Sequence, residues 1–400
     1  LIPAVQAAEA TSWHVFNPLG QERTGLVYLD DQTGIKEAYL IQRTYDDRLL
    51  VKIPAMAGLS CKTLTPVSAV PQSKQVAMRL EESFETVDFK VIFDKHFDII
   101  SLFDKRHQRE IVPKGERLNQ LVAYEDLPMD YDAWDIDIYY DTLKIKRQFE
   151  DSFITQWLHF YHGTGRIDFE TTVDWHQHQL LLKALMPIDV NTLEATFDIQ
   201  FGQVKRPVHQ NTTWDQARFE SCGQKWVDLS EGNYGVSILT DSKYGFNTDY
   251  QKIGLSLIKS PIDPYPEADQ GFHEFTYSLY SHEGTWQDAQ TMEEALALNV
   301  PVLTVPSVPQ LSAEAFLAVD QKNVLLDTVK KAEDEEALIV RLYEYHNQTT
   351  ACQLRCQKRI KKAVLTNLLE ETVAELPVEP LDAQSITIHF QPFEIQTIML

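Results

Sequence analysis

Lys225-Trp226-Val227-Asp228-Leu229-Ser230-Glu231, then Tyr234-Gly235-Val236-Ser237-Ile238-Leu239, then His273-Glu274-Phe275-Thr276-Tyr277-Ser278-Leu279-Tyr280: these runs decide the fold. Tyr234, Val236 and Ile238 alternate with Gly235, Ser237 and Leu239. His273, Phe275, Tyr277 and Leu279 alternate with Glu274, Thr276, Ser278 and Tyr280. Period-two alternation places each set on one face of a strand. Between them Pro261, Pro264 and Pro266 remove backbone donors, so Lys259 to Gly271 is predicted to be a loop.

The pattern continues outward. Ile167, Phe169, Thr171, Val173 and Trp175 alternate with Asp168, Glu170, Thr172, Asp174 and His176, as in a half-buried strand. Ile99 to Lys105, with Arg109 to Val112, reads as a strand and its return. One helix is predicted near Gln287 to Leu298. The first stretch, 1–72, has short apolar runs at Leu26–Leu29 and Leu49–Ile53, punctuated by Pro54, Pro66 and Pro71: a small β domain. A large antiparallel block follows over 73–305. Pro301, Pro306 and Pro309 mark a linker, and 306–400 reads as a terminal β-sandwich with strands at Leu338–Tyr345 and Ile386–Phe390. The run Lys330 to Glu336 is expected to be a solvated turn.

Composition bounds the function. The 400 residues suffice for two or three domains, and 44% hydrophobic content is ordinary for a globular chain. No run approaches the ~18 apolar residues of a membrane span. A net charge of -23 repels phosphate backbones, which argues against nucleic acid as a partner. Cys61, Cys222, Cys352 and Cys356 form no Cys-x-x-Cys pair, and free thiols in a reducing cytoplasm are expected. The chain opens on Leu1 without a signal pattern, which suggests a piece cut from something longer.

Few motifs carry chemistry. His96-Phe97-Asp98 supplies one imidazole and one carboxylate, short of the three or four ligands that zinc takes. His176-Gln177-His178 places two imidazoles on one strand face, but a metal needs a third ligand. His273 and Glu274 are adjacent on a strand, so they face opposite ways and cannot act on one substrate as acid and base. Tyr131-Asp132-Ala133-Trp134-Asp135 sets aromatic rings beside carboxylates, which suits sugar: a ring packs on a pyranose face while carboxylates accept from hydroxyls. A loop capping a sheet explains the same residues. No Gly-rich phosphate loop, Gly-x-Ser-x-Gly elbow or His-Glu-x-x-His is present.

The runs Lys225 to Glu231, Glu267 to Gly271 and His273 to Tyr277 resemble the C-terminal half of the glycoside hydrolase family 38 α-mannosidases. Val15-Phe16-Asn17-Pro18 with Glu22-Arg23, and Pro392 to Thr397, extend the resemblance from about Val15 to the last residue. Tyr131 to Asp135 is similar to the family's Trp-Asp-Ala-Trp-Asp, with Tyr131 in place of the first Trp. Leu80-Glu81-Glu82 stands where the family often shows Leu-Glu-Asn.

The resemblance implies a mostly β fold: a galactose-mutarotase-like supersandwich flanked by smaller β-sandwich domains. It implies a cytoplasmic α-mannosidase whose catalytic carboxylates and divalent metal, zinc, belong to an N-terminal barrel. This portion would then hold no catalytic residue, metal ligand or cofactor. It would brace the barrel of the same chain and lend Tyr131, Asp132, Trp134, Asp135, Lys259 and Asp269 to the binding of a mannose-containing oligosaccharide. Self-association into a homo-oligomer stays open. The alternatives are a free-standing carbohydrate-binding or scaffold module and an aldose-epimerase-like enzyme using the supersandwich alone.

Overall fold

A computed structural model describes residues 13–29, 34–36, 40–44, 48–67, 83–125, 127–130, 132–139, 141–306, 314–378 and 383–400. Tyr131, Leu80-Glu81-Glu82, Pro71 and Pro309 lie outside the described residues.

Two antiparallel sheets form the centre. One has nine strands, in the order Asp132–Tyr139, Thr142–Phe149, Ser152–Phe160, Arg166–Trp175, Gly271–Glu283, Tyr234–Thr240, Trp226–Glu231, Glu194–Ile199 and Gly202–Pro207. The other has six: Leu127–Asp130, Gln120–Glu125, Leu181–Pro187, Lys252–Lys259, Gly245–Asp249 and Ser221–Cys222. The alternation read from the sequence explains their stacking. Phe169, Val173, Trp175, Phe275 and Tyr277 point inward from the large sheet and meet Leu182, Ala184, Phe246 and Leu255 from the other. Each large side chain fully buried there contributes ~1.5–3 kcal/mol of transfer free energy. This is the expected supersandwich. The strand Ile99–Asp104 and its return at Arg109–Glu110 pair as expected.

Arg166–Trp175 differs from a half-buried strand in one respect. Its outward residues are exposed only toward Trp175; at the other end Arg166 and Asp168 are buried, with Ser278 on the neighbouring strand. The N-terminal β domain covers that end. Its sheet of Arg23–Leu29, Leu49–Met56 and Leu40–Arg43 lies there, with the Tyr28 and Tyr161 hydroxyls 3.3 Å apart and Gln42 donating to the Phe160 carbonyl at 2.8 Å. The proline-marked stretch after residue 300 is not wholly a linker: Leu303–Pro306 pairs with Trp13–Phe16, which pairs with Cys61–Leu64.

The helix runs Thr291–Asn299, a few residues later than expected. Met292 and Ala295 pack with Trp226, Leu239 and Trp286 of the supersandwich side and with Leu325, Tyr343 and Tyr345 of the last domain, so the helix joins the two. A second, one-turn helix at Thr213–Ala217, capped by Thr212 and Asp215, was not foreseen. The C-terminal domain packs a five-stranded sheet on a three-stranded one around Leu342, Leu354, Ile388, Phe390 and Ile398. The expected charged turn is there, although Lys330 and Lys331 still belong to the strand Val324–Lys331. Cys352 and Cys356 are buried on one face of Thr350–Cys356, and all four thiols are free.

Candidate functional site at one end of the supersandwich

Sheet register gathers the residues singled out from the sequence. Lys259 lies opposite Leu181, Leu181 opposite Tyr124, and Tyr124 opposite Pro128. In the other sheet Asp132 lies opposite Gln148, then Phe153, Asp174 and Phe272 in turn. The chain passes from an edge of the small sheet to an edge of the large one between Asp130 and Asp132, so both rows mark the same end. Between Ala133 and Asp135 the register slips, which makes Trp134 the extra residue of a β-bulge. A bulge bends its strand and re-aims a side chain, and bulges recur beside functional sites.

The loop after Lys259 closes on itself. The Asp269 carboxylate accepts from the Lys259 backbone N–H at 3.2 Å, and His273 Nε2 meets the Asp269 carbonyl at 2.8 Å. Asp269 has φ 59°, in the left-handed region where Asp is better tolerated than most side chains, and Gly271 has φ 92° where the next strand begins. Lys259 is exposed, and its side chain forms no ion pair among the described residues. Its ammonium is free to meet an incoming carboxylate or hydroxyl.

Three features here escaped sequence reading. Lys243 stands with its Nζ 4.4 Å over the Phe275 ring; burial pushes its ammonium below the ordinary lysine value, opposed by Asp269 and Asp241. Phe153 and Phe272 are 47% and 69% exposed, on the outward face to either side of Asp174. Apolar residues at outward positions of Ser152–Phe160 and Gly271–Glu283 were a legible departure from alternation. Lys243 gave no such signal.

The metal motifs do not assemble. His96-Phe97-Asp98 forms a turn with Phe97 at φ 60°, and Asp98 faces Arg147 at 3.5 Å and Arg117 at 3.7 Å. The strand ends at Trp175, so His176 and His178 do not share a strand face as expected; His176 pairs with Asp174 at 3.0 Å. Among the described residues no three His, Cys, Asp or Glu side chains are grouped for a metal. His273 is level with Val173, which points inward, and Glu274 with outward Thr172, so their opposite orientation stands.

The other end of Arg166–Trp175 is ~30 Å away at ~3.3 Å per residue. A cavity of about 570 Å³ lies there, between the N-terminal domain, the outward face of the large sheet, the helix and the turn at Val319–Lys322. Its lining comes from residues far apart in sequence that form no motif.

The described residues form a β-supersandwich flanked by two smaller β domains, with aromatic and charged residues at one end of the supersandwich. The chain belongs to glycoside hydrolase family 38: it matches the Glycosyl hydrolases family 38 C-terminal domain over 85–148 and 139–267, and the family's C-terminal beta sandwich domain over 323–398. Alpha-mannosidase 2C1 of Homo sapiens is 32% identical over 385 residues, covering 88% of this chain and 37% of that protein. Alpha-mannosidase of Saccharomyces cerevisiae is 29% identical over 333 residues, covering 70% and 31%. The chain thus spans about a third of the length of these relatives. The crystal structure of an alpha-mannosidase from Enterococcus faecalis superposes with TM-score 0.74 at 16% identity, over 99% of this chain and 56% of that one. That likeness concerns the fold.

Proposed function

We propose that this chain is the non-catalytic C-terminal portion of an α-mannosidase, and that the whole protein hydrolyses α-mannosidic bonds with retention of configuration. The reaction needs a nucleophilic and an acid–base carboxylate ~5 Å apart, and a divalent metal, zinc, assists it in the family's barrel. The residues described here do not fit that metal, so no step is assigned to it on this chain. In this reading the supersandwich braces the barrel, and Tyr131, Asp132, Trp134, Asp135, Lys259 and Asp269 are the residues that meet a mannose-containing oligosaccharide. The protein works in the cytoplasm, a reading supported by its free thiols.

One observation carries the proposal: sheet register brings Lys259 and Asp132, 127 positions apart in sequence, to one end of the supersandwich. In the whole enzyme, Lys259→Ala and Asp132→Ala are expected to lower kcat/KM roughly ten- to a hundredfold, the worth of ~1–3 kcal/mol. The 400-residue chain alone is expected to show no mannosidase activity. Unchanged kinetics in both variants would leave this end a purely architectural brace.

A further inference from the structure

We infer that the cavity at the Arg166 end binds a small neutral polyol of two linked sugar rings, between the N-terminal domain and the helix. Its volume of about 570 Å³ lies within the ~300–1,000 Å³ typical of small-molecule sites. Three of its buried polar atoms have no hydrogen-bond partner among the described residues: Arg23 Nη2 and Gln21 Nε2, donors, and Glu293 Oε2, an acceptor. Such orphans are uncommon in buried positions and each costs free energy until paired.

Arg23 is held rigidly. It is 7% exposed; its Nε donates to Asn17 Oδ1 at 3.0 Å and its Nη1 to the Val300 carbonyl at 2.7 Å, which leaves Nη2 as the unused prong. Glu293 receives the Tyr345 hydroxyl on Oε1 at 3.3 Å. Its own amide and the Gln290 side chain also act on the carboxyl group, yet Oε2 has no hydrogen-bond partner among the described residues. Glu293 and Val300 are seven residues apart, about 10 Å along the helix axis, so the donor and acceptor lie toward opposite ends of the helix. One molecule satisfying both must be elongated and must offer an acceptor at one end and a donor at the other. Hydroxyl groups do both.

Charge selects against an anion. Five carboxylates and four cations line the cavity, and Arg166 already holds Asp168. A phosphate or carboxylate would find no excess of positive charge. Tyr28, Tyr161 and Tyr280 also line the cavity, and aromatic walls of this kind suit a pyranose face. Burial raises the Glu293 carboxyl above its ordinary value, a cost to the charged form that a hydroxyl donating to Oε2 would offset.

The test is calorimetric titration of the 400-residue chain with an α-linked mannobiose and, separately, with inorganic phosphate. Saturable binding of the disaccharide and none of phosphate is expected. Glu293→Gln should weaken binding roughly tenfold through loss of a charge-assisted bond. Ala297→Phe, which fills the cavity from the helix, should abolish it, with near-ultraviolet circular dichroism checking the fold; if that variant unfolds, Glu293→Gln decides. Lys361→Ala, exposed on the C-terminal domain away from the cavity, should bind as wild type. Absence of disaccharide binding, competition by phosphate, or loss of binding in Lys361→Ala but not in the cavity variants would overturn the inference.

Discussion

Arg166 and Asp168, two positions apart on one strand, form a two-pronged ion pair: Nε to Oδ1 at 2.6 Å and Nη2 to Oδ2 at 2.7 Å. Both are almost fully buried, and the carboxylate also accepts from the hydroxyls of Tyr161 and Ser278. The pair sits where the N-terminal domain covers the supersandwich. Removing one member strands a buried charge, which costs ~3–5 kcal/mol. Asp168→Ala should therefore lower the urea midpoint by that equivalent, whereas replacing both residues with apolar ones of similar volume should recover most of it. A loss below about 1 kcal/mol would mean that the pair is hydrated like a surface bridge.

The same carboxyl sets an acid limb. Burial would raise its pKa, but the charge and hydrogen bonds of Arg166 outweigh that and hold it below the ordinary aspartate range. Asp104 behaves alike: burial is outweighed by hydrogen bonds from Arg106 and His107. A folded value below the unfolded one, ~3.9, gives stability that is fully present above about pH 4 and lost as pH falls through the folded value. The stability difference between wild type and Asp168→Ala should narrow as unfolding is repeated at pH values falling below 4. A constant difference across that range would contradict the assignment.

Glu293 carries the opposite sign. Burial raises its carboxyl, so the folded state holds the proton more tightly and ionisation at neutral pH opposes folding. Glu293→Gln should stabilise the chain at pH 7 and have no such effect near pH 3, where folded and unfolded carboxyls are both protonated. Thermal melts at the two pH values read this directly; equal shifts at both would show that the effect is not the charge.

The helix gives a mechanical prediction. Met292 is 1% exposed and packs where supersandwich and C-terminal domain meet. Met292→Ala should cost ~2–5 kcal/mol. It should also split a single calorimetric transition into two if this contact couples the domains. A single unbroken transition would place the coupling elsewhere.

How much of this the sequence disclosed follows from the range of each interaction. Alternation along Arg166–Trp175 identified the strand and its inward residues, because strand periodicity is local. It assigned Asp168 to a solvated face, because nothing local tells which face a distant domain will cover. The helix was visible, but its start at Thr291 was not: Gln290, at φ 54°, precedes it without a side-chain cap. His176-Gln177-His178 continued a pattern that the backbone abandons at Trp175, where Ser152 Oγ accepts from the His176 N–H. The bulge at Trp134 depends on register with Thr142–Phe149. Glu293 joins Arg23 and Lys52 only through packing of segments more than two hundred residues apart, beyond any motif.

The tie between Asp269 and Lys259 separates two roles of one side chain. Asp269 both closes the loop, by accepting the Lys259 N–H, and occupies a left-handed backbone conformation. Asp269→Asn keeps a side-chain acceptor and tolerates that conformation, so it should leave the loop closed. Asp269→Ala loses the acceptor and adds backbone strain, together ~2–4 kcal/mol of local stability. Hydrogen exchange at the Lys259 amide should accelerate strongly in Asp269→Ala and barely in Asp269→Asn, while exchange at Leu255 in the strand core stays slow in both. In the whole enzyme, turnover should follow the same order if loop closure is what matters. A loss of turnover in Asp269→Asn, with amide protection intact, would instead assign the carboxylate to the sugar. Fast Lys259 exchange already in the unsubstituted chain would show that the hydrogen bond does not hold the loop.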